Sequence, residues 1–120
     1  MNITLQGTNL ELTDDIRRFV DDKLEDTFRA FGDMNTESVM VDLELERTTT
    51  HHRSADRLFR CEVNVSVPGR MIRVEETADD LYKAIVQAKH TLTRRIRTWR
   101  EKLIDEQREG ARSATDLSEG

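Results

Sequence analysis

At 120 residues, with 36% hydrophobic and 36% charged side chains, the chain holds apolar material for one core and not for two. A single cysteine excludes an intramolecular disulfide and fits a reducing compartment, and no apolar run approaches the roughly 20 residues of a membrane-spanning helix. The formal charge of -5 is unevenly spread: residues 1–46 carry 12 acids and 4 bases, whereas residues 83–102, KAIVQAKHTLTRRIRTWREK, carry seven Lys or Arg against Glu101 alone.

The opening MNITLQGTNLELTDD lacks the basic and apolar regions of a signal peptide and is too acidic for a transit peptide, so a soluble cytoplasmic protein is expected. Within it, NITLQ alternates and reads as a short strand with Ile3 and Leu5 on one side, interrupted by Gly7 and Asn9. A helix of about 18 residues follows. Thr13 suits its N-cap, Asp14 and Asp15 suit the positive end of its dipole, and Gly32 suits its stop. Its apolar stripe is Ile16, Val20, Leu24, Phe28 and Phe31.

SVMVDLELER alternates, with Val39, Val41, Leu43 and Leu45 facing a core. TTTHHRSAD reads as a loop. RLFRCEVNVSV is a third strand that buries Phe59, Cys61, Val63, Val65 and Val67; Pro68-Gly69 is a turn, and RMIRVEE is a fourth strand with Ile72 and Val74 inward. Thr77 with Asp80 makes a capping-box pattern for a long last helix. Its core stripe is Leu81, Ile85, Ala88, Leu92, Ile96, Trp99 and Leu103. Lys83, His90, Arg94 and Arg97 take the opposite side, Arg95 and Lys102 one flank, Lys89 and Arg100 the other. Residues 109–120 show no apolar stripe and are expected to form a disordered acidic tail to a domain of residues 1–108. The fold class predicted is α+β, in the order β-α-β-β-β-α, with a four-stranded sheet and both helices on one face.

The residues assemble no catalytic constellation. His51 and His52 are adjacent in the polar loop without ligands at metal spacing, Cys61 has the inward phase of an inert buried thiol, and the acid pairs Asp14-Asp15, Asp21-Asp22 and Asp79-Asp80 diverge on helices. No glycine-rich phosphate loop is present, so neither enzyme activity nor a cofactor is expected. An RNA-recognition motif would stack bases on sheet aromatics, yet the open face would carry Asp42, Glu44, Arg60, Glu62, Asn64, Ser66 and Arg73. A double-stranded-RNA-binding domain shares the α-β-β-β-α order, but the start of the last helix here is acidic. The basic stretch has a plain reading as a solvated helix face. Its lopsided sign favours contact with phosphates, because the local patch governs recognition beyond about 8 Å of screening.

NITLQGTNLELTDDIRRFVDDKLEDTF resembles the opening of the ribosome hibernation promoting factors, also known as ribosome-associated inhibitor A or ribosomal subunit interface proteins. VPGRMIRVEETADDLYKAIVQAKHTLTRRIRTWREKL is similar to their last strand and helix, including the start at Asp80, Leu81, Tyr82, Ala84 and Ile85. The resemblance covers about residues 1–104 and implies a non-enzymatic protein bound to rRNA of the small ribosomal subunit. Its place would be the mRNA/tRNA channel of the A and P sites, where it stops translation and preserves idle ribosomes in stationary phase or stress. It points by matched position to Lys83, Lys89, Arg94, Arg95, Arg97, Arg100 and Lys102 on the last helix and to Arg17 and Arg18 on the first. Asp21, Asp22, Glu25 and Asp26 depart from many relatives. The ending resembles a short form without a dimerising second domain, so a monomer is expected off the ribosome. A protein-interaction module for a basic partner and a general double-stranded RNA binder remain the alternatives.

Overall fold

The protein is described from a computed structural model, which covers residues 1–48 and 58–119, with side chains through Ala111. Strand β1 (Asn2–Thr8) leads to helix α1 (Asp14–Phe28), which tightens into a 3-10 turn at Arg29–Phe31. Strands β2 (Met40–Arg47), β3 (Phe59–Val67) and β4 (Arg70–Ala78) precede the long helix α2 (Leu81–Glu119). The sheet order is β1-β2-β3-β4, with β1 parallel to β2 and the other pairs antiparallel. The α+β order read from the sequence is therefore the observed one. The histidines of the polar loop lie outside the described residues.

Alternation determines which side of the sheet is dry. Val41, Leu43 and Leu45 of β2 lie opposite Val65, Val63 and Cys61 of β3, and Val63 and Val65 lie opposite Val74 and Ile72 of β4. All eight are buried in one cluster with Val20 and Leu24 of α1 and with Leu81, Ile85, Ala88, Leu92, Ile96 and Trp99 of α2. Both helices therefore pack on this single face. Cys61 is fully buried, and desolvation pushes its thiol up to about 12, with Arg60 opposing and Glu76 adding to the rise. A thiol held protonated is a packing group, not a nucleophile.

Three local details differ from the sequence reading. Strand β1 continues through Gly7 to Thr8, because the chain turns at Asn9, whose φ of 57° is the left-handed conformation that Asn tolerates. Ile3 has the expected phase beside Val41 yet is 46% exposed, since β1 is the sheet edge. The cap of α2 is Asp80: its Oδ1 accepts from the Lys83 amide at 3.1 Å and its carbonyl from the Ala84 amide at 3.0 Å. Thr77 is instead paired with Arg60 in the β3–β4 ladder.

Helix α1 begins and ends as its sequence requires. Thr13 Oγ1 accepts from the Ile16 amide at 3.2 Å, and Gly32 takes φ 62° and ψ -130°, a conformation open to glycine, where the chain leaves the helix. The two helices run in the same direction, in contact along their length. Phe19 meets Tyr82 edge-on at 4.8 Å, Thr27 Oγ1 lies 3.3 Å from Thr93 Oγ1, and Phe31 meets Trp99 edge-on at 6.1 Å. Trp99 is thus the plug that closes the core at that end. Helix α2 stays helical past residue 108, where the sequence suggested a disordered tail. Residues 105–111 are all exposed. Helix formers such as Glu106, Gln107, Arg108 and Ala111 continue the backbone pattern without a core stripe.

Candidate nucleic-acid interface

The 39 residues of α2 span about 58 Å at about 1.5 Å per residue, and the azimuth around this helix assigns each basic side chain a role. Lys83, His90, Arg94 and Arg97 point away from the sheet and are exposed. On the β4 flank, Arg95 Nη1 donates to the Arg73 carbonyl, while Lys102 projects beside the β3–β4 turn. On the α1 flank, Lys89 Nζ lies 3.3 Å from Asp26 Oδ2, and Arg100 Nη2 lies 3.5 Å from Asp33 Oδ1.

The nine candidates therefore separate by what already holds them. Lys89 and Arg100 are half-buried and tie α2 to α1 and to the loop behind it. The Arg100 guanidinium covers Gly32 so closely that a Cβ there would come within 2.8 Å of Nη2, and its Nε is buried without a hydrogen-bond partner. Lys83 pairs with Asp79 at 3.4 Å, and Arg18 with Asp15 at 3.0 Å. Both pairs are exposed and exchange readily for a stronger anion, since such pairs are worth about 0–1 kcal/mol. The Arg94, Arg97, Lys102 and Arg17 side chains have no ion pair with any described residue, which leaves their full charge for a ligand.

Arg17 stands apart from the α2 bases, because Asp21, Asp22 and Glu25 occupy exposed or outward positions on the turns that follow it. Arg94, Arg97 and Lys102 form one ridge and flank, joined by a cation that sequence reasoning did not single out. Arg70, directly after Pro68-Gly69, is exposed and lines the same cleft as Lys102. Residues 70 and 102 are far apart in sequence, and the only local signal was a base following a turn.

The other side of the molecule has the opposite sign. Asp42, Glu44, Glu46, Glu62 and Glu75 occupy the open sheet face around Arg60, which pairs with Glu44 at 3.0 Å, Glu62 at 2.6 Å and Glu75 at 3.7 Å. Phe59, the single strand aromatic, has the phase of the core, so this face offers no stacking platform. Among the described residues no group of three or more His, Cys, Asp or Glu is placed to hold a metal ion, and no helix is long and apolar enough to cross a membrane.

A βαβββα domain with a basic ridge on its last helix and an acidic sheet behind it defines the class. Residues 3–104 match the family described as Sigma 54 modulation protein / S30EA ribosomal protein, and the chain belongs to that family. It is 33% identical over 106 residues to the ribosome hibernation promotion factor of Deinococcus radiodurans, covering 88% of this chain and 52% of that protein. It is 30% identical over 106 residues to the chloroplastic ribosome-binding factor PSRP1 of Spinacia oleracea, covering 88% of this chain and 34% of that one. The chain thus spans about half the length, or less, of these curated relatives. Among solved structures it is similar to the N-terminal domain of Protein Y from Thermus thermophilus, with a TM-score of 0.67 and 35% identity over 83% of this chain and all of that one. A ribosomal subunit interface protein from Coxiella burnetii shares the fold at a TM-score of 0.65 and 17% identity, over 84% of this chain and 99% of that one.

Proposed function

We propose that this protein is a ribosome hibernation factor of the cytoplasm. It binds rRNA of the small subunit in the mRNA/tRNA channel, at the A and P site region, and blocks translation sterically while preserving idle ribosomes under stress or in stationary phase. The observation that carries this reading is the set of exposed bases Arg94, Arg97 and Lys102 on the outer side and β4 flank of α2, with no ion pair to a described residue, in a chain of charge -5. The family relatives named as ribosome hibernation and ribosome-binding factors support the choice of ribosome over other RNA.

The mechanism is electrostatic and steric, with no catalytic step. Arg and Lys neutralise phosphates and release counterions. The acidic sheet face is repelled by the same phosphates, so the domain docks helix-side first. The shared core, with Phe19 packed on Tyr82 and Phe31 on Trp99, holds the two helices as one wedge, with Lys89 and Asp26 paired across it, and a preformed wedge loses little ordering entropy on binding. Purified small subunits sedimented with the protein, in the presence of increasing initiator tRNA, test this directly. Mutual displacement is expected. Simultaneous undiminished occupancy by both would move the site away from the tRNA path.

A further inference from the structure

The β3–β4 turn and the far half of α2 enclose a cleft of about 300 Å³. It is lined by half-buried Leu103 and by Trp99, which is 7% exposed. Arg70, Lys102 and Glu106 form its rim, and Pro68-Gly69 its outer wall, where a side chain on Gly69 would meet nothing within 4 Å. We propose that this cleft seats one unpaired nucleotide of an RNA strand, with its phosphate between Arg70 and Lys102 and its sugar and base over Leu103 and the edge of Trp99. That the strand is rRNA rests on the ribosome reading above; the nucleotide-binding chemistry does not.

Three features converge on this ligand. The two cations come from different elements, the first residue of β4 and helix α2, and neither has an ion pair with a described residue. Apolar Leu103 and Trp99 line the same cleft as the two cations, which a bare phosphate site does not need and a nucleoside does. The volume of about 300 Å³ is at the lower end of the range of about 300–1,000 Å³ typical of small-ligand pockets, which suits a single nucleotide. Glu106 gives the site polarity, since its carboxylate repels the phosphate toward Arg70 and Lys102 and accepts from a ribose hydroxyl or a base amino group. The outward ridge of Arg94 and Arg97 lacks any such apolar lining, so it reads backbone charge whether the RNA is paired or not. The cleft adds a preference for unstacked RNA, the form in which bases become accessible to proteins.

Trp99 is the one tryptophan, so its emission reports on the cleft directly. The full chain is titrated with a six-nucleotide single strand, with a duplex of equal length and with adenosine monophosphate. A saturable change in emission is expected with the single strand, at least tenfold weaker with the duplex and the mononucleotide. Arg70→Glu and Lys102→Glu should each weaken single-strand binding tenfold or more and flatten its log-log salt slope by about 0.7, while Arg70→Lys retains it. Both positions are exposed, and circular dichroism melts confirm that the variants remain folded. A silent Trp99 at saturating RNA overturns the proposal, as does wild-type affinity in both reversed variants. Equal affinity for the mononucleotide overturns RNA as the occupant in favour of a free nucleotide, and an equal response to duplex reduces the cleft to part of the phosphate ridge. Pelleting with small subunits separates the two readings: pelleting with a silent strand titration sinks the cleft alone, and a positive titration without pelleting sinks the ribosome reading alone.

Discussion

Reversal of Arg94 and Arg97 to Glu is the sharpest perturbation of the basic ridge, because the structure separates its effect on binding from its effect on folding. Both side chains point away from the sheet, neither has an ion pair with a described residue, and Leu92, Ile96 and Trp99 between and beside them carry the burial. Exposed substitutions of this kind change stability by about 0.5 kcal/mol or less each. Arg97→Glu also faces Glu101 one turn on, a like-charge pair that costs about 0.2–0.5 kcal/mol more. The sum stays at or below about 1.5 kcal/mol. Binding loses far more: two charge-assisted contacts at about 1.5–3 kcal/mol each amount to roughly 3–6 kcal/mol, or about two to four decades in Kd. Fluorescence anisotropy of labelled protein on purified small subunits, from about 50 to 200 mM salt, measures both affinity and salt slope. Loss of two phosphate contacts should flatten the slope by about 1.4–1.8. If the double variant melts normally and keeps wild-type affinity and slope, the ridge is a solvated helix face and the proposed docking is wrong.

Lys89→Ala should behave in the opposite sense, lowering stability by about 0.2–1 kcal/mol in urea melts through loss of its Asp26 pair and weakening ribosome binding less than the ridge reversal does. Gly32→Ala should cost about 1–3 kcal/mol and lower Tm by at least about 4 °C, since the backbone at φ 62°, ψ -130° excludes a side chain and the new Cβ displaces the Arg100 guanidinium; an unchanged Tm would refute that geometry. Asp80→Ala should cost about 1 kcal/mol by removing the acceptor of the Lys83 amide, and more than Thr77→Ala if Asp80 is the cap. The Cys61 thiol, held protonated to about pH 12, ionises near its ordinary 9 once unfolded. The unfolded chain therefore binds fewer protons above pH 9, and Cys61 should make stability fall by about 1.4 kcal/mol per pH unit between pH 9 and 12. The difference between wild-type and Cys61→Ala melts isolates that contribution, which should vanish below about pH 8.

What the sequence alone determined was everything written at short range. The two-residue alternation of Val39 to Leu45 and Phe59 to Val67 assigned the buried face of each strand, and the three- and four-residue spacing of Leu81 to Leu103 assigned the core stripe of the last helix. The Thr13 cap and Gly32 stop bounded the first helix. These signals are legible because a strand or helix exposes its period in the order of its own residues. The same azimuth placed Arg94 and Arg97 outward. Tertiary structure decided which of the bases were free. Lys89 and Arg100 lie one flank away from Arg94 on the same helix, yet Asp26 and Asp33 arrive from the first helix and the loop behind it and claim them. Arg70 reaches Lys102 only because the Pro68-Gly69 hairpin returns β4 alongside α2. Capping shifted from Thr77 to Asp80 for a similar reason, since pairing with Arg60 holds Thr77 in the sheet. Contacts between residues distant in the chain depend on how elements pack, and packing depends on the whole core at once, so no local pattern records them.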